Sequence, residues 1–141
     1  MEDDYPLLIT KAREARERSW SPYSGFSVGA ALLGKSGRIY QGCNVECASY
    51  SPTNCAERTA FFKAVSEGEL EFDAIAIVGG PKDAADFGFA YPCGVCRQVM
   101  MEFCDPLHFK VIVANSSGEF EVHTLLQILP FGFGPSNLTR N

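Results

Sequence analysis

The chain has 141 residues, of which 46% are hydrophobic and 21% charged, so it can form one folded domain over residues 1–141 and is not an intrinsically disordered chain. Its net charge is −5 and no run of Lys or Arg occurs, which makes nucleic acid and anionic membranes poor partners. No apolar run approaches the roughly 20 residues of a membrane span, and six cysteines without an export signal indicate a reducing compartment, the cytoplasm.

The apolar pattern predicts helices and strands that alternate along the chain. The first half contains a helix over residues 7–18, a hairpin of two strands at 26–33 and 38–42, and a helix over 55–67. The second half contains a strand at 72–78, a loop over 82–91, a helix over 94–104, strands at 109–114 and 120–123, and a short helix at 124–128, before an irregular tail. This order favours a three-layer α/β/α sandwich with a mixed five-stranded sheet.

Two of the predicted helices begin with cysteines. Cys55 opens one helix, and the CxxC pair Cys93 and Cys96 opens the other. Helices that follow parallel strands begin at the same edge of a sheet, so the two N-termini can converge on one point. The partial positive charge of a helix N-terminus favours thiolates. Three thiolates leave the fourth position of a tetrahedral zinc ion open, as in catalytic zinc sites.

A CxxC pair alone also fits a structural zinc site or a redox site. A structural zinc would need a fourth ligand, and five residues are candidates although none forms a second zinc knuckle: Cys43, Cys47, Cys104, His108 and His123. A thioredoxin-like pair follows the first strand of a βαβ unit, whereas this pair follows the third predicted strand. Glu57 favours catalysis, because it lies two residues after Cys55 in the first helical turn, where a general acid/base would stand beside the metal.

The segments CAERTA at residues 55–60 and PCGVCRQV at residues 92–99 resemble the [HC]-x-E … P-C-x-x-C signature of the zinc-dependent cytidine deaminase family. Further similar segments follow in order along nearly the whole chain: PYSGFSVGAAL at 22–32, GCNVE at 42–46, A-x-Y at 48–50, LP at 129–130 and FGP at 133–135. The length and the three-cysteine ligand set resemble the short homotetrameric members. The resemblance implies a cytidine deaminase-like fold, one Zn²⁺ per chain, and hydrolysis of cytidine and deoxycytidine to uridine and deoxyuridine plus ammonia, a reaction of pyrimidine salvage.

The resemblance also implies how the catalytic residues act. The three cysteines of the helix starts bind zinc, which supplies hydroxide near neutral pH for attack on C4 of the base. Glu57 takes the proton of the water, delivers it to N3 and later protonates the leaving amine. Arg58 resembles the arginine that hydrogen-bonds ligand sulfurs in the family, and it would offset the excess charge of three thiolates. Arg97, next to the last cysteine, is a weaker candidate for the same role.

A nucleoside site is implied in the same way. Phe26 resembles the residue that packs against the pyrimidine, and the backbone of Ala56 is expected to contact the base edge. Asn44 and Glu46 resemble the pair that binds the ribose 3′-hydroxyl, and the Glu46 carboxylate disfavours phosphorylated substrates. Three residues of a neighbouring subunit are expected to complete the site: Ala48, Tyr50 and Phe133.

Some positions depart from the family pattern, and other functions compete with this one. Cys47, the segment 51–54 and Tyr91, which stands where a small residue commonly precedes Pro92, affect the expected shape of the pocket rather than its chemistry. A deaminase of another cytosine nucleoside, such as a nucleoside antibiotic, is one alternative. A nucleic-acid editing deaminase needs a basic groove that a chain of net charge −5 lacks. A non-enzymatic zinc-binding module has no use for Glu57.

Overall fold

The computed structural model describes residues 2–138. The first half comprises α1 (Tyr5–Arg16), β1 (Phe26–Gly34), β2 (Ile39–Cys43), α2 (Ala56–Ser66) and β3 (Phe72–Pro81). The second half comprises α3 (Gly94–Phe103), β4 (Lys110–Ala114), β5 (Phe120–Thr124) and α4 (Leu125–Ile128), with 3₁₀ turns at Glu2–Asp4 and Pro135–Asn137. The predicted order of elements is confirmed. Within residues 2–138, none of the helices is both long enough and apolar enough to cross a membrane.

The five strands form one mixed sheet in the order β2-β1-β3-β4-β5. Strand β1 pairs antiparallel with both β2 and β3, whereas β3 pairs parallel with β4. Because β2 and β3 both run opposite to β1, they run in the same direction. The helices that follow them, α2 and α3, therefore begin at the same edge of the sheet.

Helices cover both faces of this sheet. In β3, Ile75 and Ile77 belong to a buried cluster with residues of α2 and α3, whereas Ala74 and Ala76 pack in a second cluster with Leu8 of α1. Successive side chains of a strand point to opposite faces, so a strand buried on both sides is continuously apolar. The predicted three-layer α/β/α sandwich is confirmed.

Strand β2 and helix α2 approach each other most closely at a glycine. A Cβ added at Gly42 would lie 2.5 Å from the carbonyl oxygen of Ala56 and 2.5 Å from the backbone nitrogen of Ala60. Only a residue without a side chain permits this distance between the two backbones. Strand β2 thereby sets the position of the first turn of α2, which follows Cys55.

Candidate active site

The thiol groups of Cys55, Cys93 and Cys96 lie together where α2 and α3 begin. Their Sγ atoms are all within 4.8 Å of one another, and the Sγ atoms of Cys55 and Cys93 are 3.9 Å apart. Cys55 and Cys93 are the N-cap residues of α2 and α3, so the shared sheet edge brings the two helix starts together. Within residues 2–138, no other group of three His, Cys, Asp or Glu side chains has a spacing that could hold a metal ion.

This cluster has the ligand chemistry of a zinc site with an open side. Cys96 is buried, Cys55 is half-buried, and Cys93 is exposed and lines an adjoining cleft. The five residues considered as a fourth ligand lie outside the cluster: Cys43, Cys47, Cys104, His108 and His123. Three thiolates with a fourth position open to a cleft fit a catalytic zinc better than a structural one.

Arg58 lies beside the thiols and places a positive charge there. Its Nη2 donates to the Sγ of Cys55 at 3.3 Å. Hydrogen bonds from Cys96, Arg58 and Cys93 lower the pKa of the Cys55 thiol to about 5, against the opposing effect of burial. The buried Nε of Arg58 has no hydrogen-bond partner within residues 2–138. The guanidinium therefore offsets part of the charge that three thiolates bring to the site.

Glu57, the second residue of α2, places a carboxyl group in the cleft beside Cys55 and Cys93. Its side chain is almost fully buried, with 4% of the residue exposed. Burial, together with the negative charge of Cys55, raises the pKa of Glu57 to about 7. A carboxyl group that titrates near neutral pH can both accept and donate a proton, as a general acid/base must.

A cleft of about 270 Å³ leads to Glu57 and the thiols. Of the residues predicted to bind a nucleoside, four line this cleft: Phe26, Asn44, Glu46 and Ala56. Thr53 and Asn54, from the segment expected to affect the shape of the pocket, also line it. Four further lining residues had not been predicted: Ser24, Val28, Ile77 and Ala90. Ser24 and Val28 lie in the same segment as Phe26, and this was the one indication in the sequence that they belong to the site. The sequence gives no such indication for Ala90.

Asn44 and Glu46 are held in place by the backbone around them. The Oδ1 of Asn44 accepts from the backbone nitrogen of Val28 at 2.9 Å and from the Ser19 hydroxyl at 2.5 Å, and its Nδ2 donates to a backbone carbonyl at 2.8 Å. One N–H of the Asn44 amide thus remains for a ligand. The Glu46 carboxylate accepts from the hydroxyl and backbone nitrogen of Ser24, which lowers its pKa and keeps it ionised.

The three residues expected at a neighbouring subunit's site are exposed in this chain. Tyr50 is 74% exposed and lines an adjoining pocket together with Tyr23, whose ring centroid is 6.1 Å away. The carbonyl of Phe133 accepts from Gln98 at 2.8 Å while the residue stays 54% exposed. Neither Phe133 nor Ala48 is among the described residues that line the cleft.

Arg97 contacts carbonyl groups. Its Nε donates to the carbonyl of Pro92 at 2.8 Å, and its Nη1 donates to the carbonyl of Ile128 at 2.7 Å. These two bonds tie the start of α3 to the end of α4. The side chain thus acts on the backbone next to Cys93, whereas the sequence offered it as a weaker candidate for a contact with the ligand sulfurs.

Comparison with known proteins gives one consistent set of relatives. Residues 2–113 match the family described as the cytidine and deoxycytidylate deaminase zinc-binding region. A cytidine deaminase of Sporosarcina psychrophila is 47% identical over 136 residues, which cover 96% of each chain. A cytidine deaminase of Halalkalibacterium halodurans is 48% identical over 130 residues, covering 92% of this chain and 94% of the relative. The crystal structure of cytidine deaminase from Burkholderia pseudomallei superposes with a TM-score of 0.83 at 44% identity, covering 92% of this chain and 98% of that one.

Proposed function

The chain belongs to the cytidine and deoxycytidylate deaminase family, and on this basis we propose that its cleft hydrolyses free cytidine and deoxycytidine to uridine and deoxyuridine with release of ammonia. One observation supports this reaction above all. The buried carboxyl of Glu57 lines the same cleft as Cys55 and Cys93, at the point where the three thiols meet. A zinc-binding module without catalytic function would not need a buried carboxyl at this position.

The three thiols of Cys55, Cys93 and Cys96 fit one zinc ion per chain. When bound, zinc supplies the Lewis acidity that makes a water molecule nucleophilic near neutral pH. Arg58 hydrogen-bonds the Cys55 sulfur and thereby draws charge away from the ligand set. The N-termini of α2 and α3 add their partial positive charges to the same point.

Glu57 moves the protons of the reaction. Its carboxylate takes a proton from the attacking water and delivers it to N3 of the base, which makes C4 more electrophilic. Once the hydroxyl has added to C4, the same group takes its remaining proton and gives it to the amine, which leaves as ammonia while C4 keeps the oxygen as a carbonyl. Burial raises the pKa of this carboxyl above that of an exposed glutamate, and this suits both steps because the group can then hold a proton as well as release one.

The remaining cleft residues orient the nucleoside. Phe26 packs against the pyrimidine ring, and the backbone of Ala56 contacts the base edge. The free N–H of Asn44 and the carboxylate of Glu46 bind the ribose 3′-hydroxyl. Because Glu46 is held ionised, a phosphate group near it is repelled, and nucleosides are preferred over nucleotides.

The active unit is a homotetramer with shared sites, in the cytoplasm. Ala48, Tyr50 and Phe133 of one chain reach the cleft of a neighbour. Support comes from the exposed rings of Tyr50 and Phe133, and from Phe131, which is fully exposed and has a φ of 57°, a conformation that costs energy for a bulky residue. Association would cover these aromatic side chains.

The test is the loss of cytidine absorbance with purified, zinc-containing protein. Cytidine and deoxycytidine should react, and deoxycytidine monophosphate should not. Glu57→Gln should keep its zinc, and its turnover should fall roughly 10²–10⁴-fold, the usual contribution of a general acid/base. Glu67→Gln, the same change at the exposed C-terminal end of α2, is the matched control and should stay active. A loss below tenfold for Glu57→Gln, or no turnover by the wild-type protein, would contradict the proposal.

A further inference from the structure

The segment between β3 and α3 leads to Cys93 without regular secondary structure. Residues 82–93 lie in neither a helix nor a strand. The middle of the segment is anchored at Phe87, whose backbone nitrogen donates to the hydroxyl of Ser116 at 2.9 Å and whose carbonyl accepts from the Ser116 nitrogen at 3.1 Å. The six residues from 88 to 93 must be held by other contacts if Cys93 is to keep its place beside Cys55.

Tyr91 makes such a contact, two residues before Cys93. Its hydroxyl donates to the Oε1 of Glu121 on β5 at 2.7 Å. The Nε2 of His123 lies 3.0 Å from the same oxygen, and the ring centroids of Tyr91 and His123 are 6.2 Å apart. Glu121 pairs with Val113 of β4, whose side chain belongs to the cluster on the α3 side of the sheet. The hydroxyl of Tyr91 thus links the segment to the sheet on the side where α3 packs.

Only one end of this link belongs to the cleft. Tyr91 lines the cleft together with Ala90 and Cys93, whereas Glu121 and His123 are not among the described residues that line it. A change at Glu121 therefore reaches the cleft through Tyr91. Cys93 is the exposed member of the thiol cluster and the N-cap residue of α3, so both that helix and the segment before it set its position.

We propose that Tyr91 is a positioning residue, whose hydrogen bond to Glu121 holds Cys93 and the adjoining cleft wall in place for zinc and substrate. This inference rests on the proposed function. A hydrogen bond to an ionised carboxylate is stronger than one between neutral groups. Without it, the bond from Arg97 to the carbonyl of Pro92 still holds the residue before Cys93, but residues 88–91 are held less firmly. Cys93 then dissociates from the metal more often, and the cleft wall fits the nucleoside less closely.

The experiment measures zinc transfer from the purified holoenzyme to a colorimetric chelator, together with KM and kcat for cytidine. Tyr91→Phe removes only the hydroxyl. We expect zinc release to become about fivefold faster and KM to rise by about the same factor, the effect of losing one net hydrogen bond. The value of kcat should change less than KM, because α2, which carries Glu57, is untouched.

Further variants separate this role from general stabilisation. Glu121→Ala should reproduce Tyr91→Phe, and Glu121→Gln should recover most of the loss, because its amide oxygen still accepts the hydroxyl proton. The double variant Tyr91→Phe/Glu121→Ala should be no worse than either single variant. The matched control is Tyr40→Phe: the Tyr40 hydroxyl donates to Glu69 at 3.1 Å, neither residue is among those that line the cleft, and the loss of this bond should leave zinc release and KM unchanged.

Three results would overturn the inference: wild-type zinc release in Tyr91→Phe, equal acceleration in Tyr40→Phe, or additive effects of the changes at Tyr91 and Glu121. The chelator measurement does not require turnover. Failure of the wild-type protein to deaminate cytidine would count against the proposed function alone, and the zinc release rates would still decide the role of Tyr91.

Discussion

Replacing Gly42 by alanine tests whether the packing of β2 against α2 sets the geometry of the site. The added Cβ would lie 2.5 Å from the Ala56 carbonyl oxygen and from the Ala60 nitrogen, and these are backbone atoms that cannot rotate aside. To restore an ordinary contact of 3.4 Å, the start of α2 must move by about 0.9 Å. This movement displaces Cys55 and Glu57 relative to the thiols at the start of α3.

The shift affects stability and catalysis by different amounts. Overpacking of this kind costs roughly 1–3 kcal/mol of the free energy of unfolding, which leaves a domain of ordinary stability folded. A displacement of about 1 Å in a catalytic group costs on the order of 10²-fold in rate. We therefore expect Gly42→Ala to be a folded protein whose turnover falls far more than its stability.

Turnover of cytidine, the thermal midpoint and the zinc content of Gly42→Ala should be measured together. Ala64→Gly is the control, because it weakens the same helix by about 2 kcal/mol, through the low helix propensity of glycine and the loss of a buried methyl group, without adding an atom that could push the helix. The control should retain most of the wild-type turnover. If folded Gly42→Ala turns over cytidine at the wild-type rate, or if Ala64→Gly loses as much activity, the packing of β2 does not set the site.

Three further predictions concern the metal, the buried carboxyl and the assembly. Cys93→Ala should lose most of its zinc by metal analysis, and full retention would contradict the ligand assignment. In zinc-free protein the pKa of Glu57 is raised from 4.5 to about 7, so the folded state holds its proton more tightly than the unfolded chain, and the stabilisation present below about pH 4.5 is lost as the pH rises through 7. In urea unfolding, the free energy of unfolding of the wild type should fall by about 3 kcal/mol relative to that of Glu57→Gln between about pH 4.5 and about pH 8. If the difference between the two free energies does not change with pH, the pKa of Glu57 is not raised. Co-expressed Glu57→Ala and Phe133→Ala chains should exceed the average activity of the two parents, since mixed assemblies contain some intact sites; activity equal to that average would exclude a shared site.

The sequence predicted the ends of helices and strands well where neighbouring residues in the chain determine those ends. The turns at Gly37 and Gly68 have φ values of 93° and 96°, which glycine adopts easily, and they end β1 and α2 close to the predicted positions. Strand β3 extends to Pro81, beyond the predicted end at residue 78, because Gly79 and Gly80 pair with β1. In the sequence alone, two glycines before a proline resemble a turn. They extend the strand here because their backbone pairs with the neighbouring strand β1.

The meeting of the three cysteines was predictable, because strand direction fixes where the following helices begin. Side-chain directions near the site were not predictable in the same way. Arg97 follows Cys96 directly, yet it donates to the carbonyl of Ile128, which lies 31 residues further along the chain. The partner of Tyr91 is likewise 30 residues away, on a strand whose pairing is set by the whole sheet.

Strand β1 lies between the two strands that lead to the cysteine-bearing helices. Zinc held by Cys55 and by the CxxC pair therefore joins two units of the fold on either side of β1 and closes a loop of 38 residues between Cys55 and Cys93. Like a covalent cross-link, such a bond restricts the unfolded chain and opposes separation of the joined units. Opening the sheet at β1 then requires strain at the metal or its release. The backbone amides of β1 should thus exchange their hydrogens with solvent more slowly in the zinc-loaded protein than in the zinc-free chain.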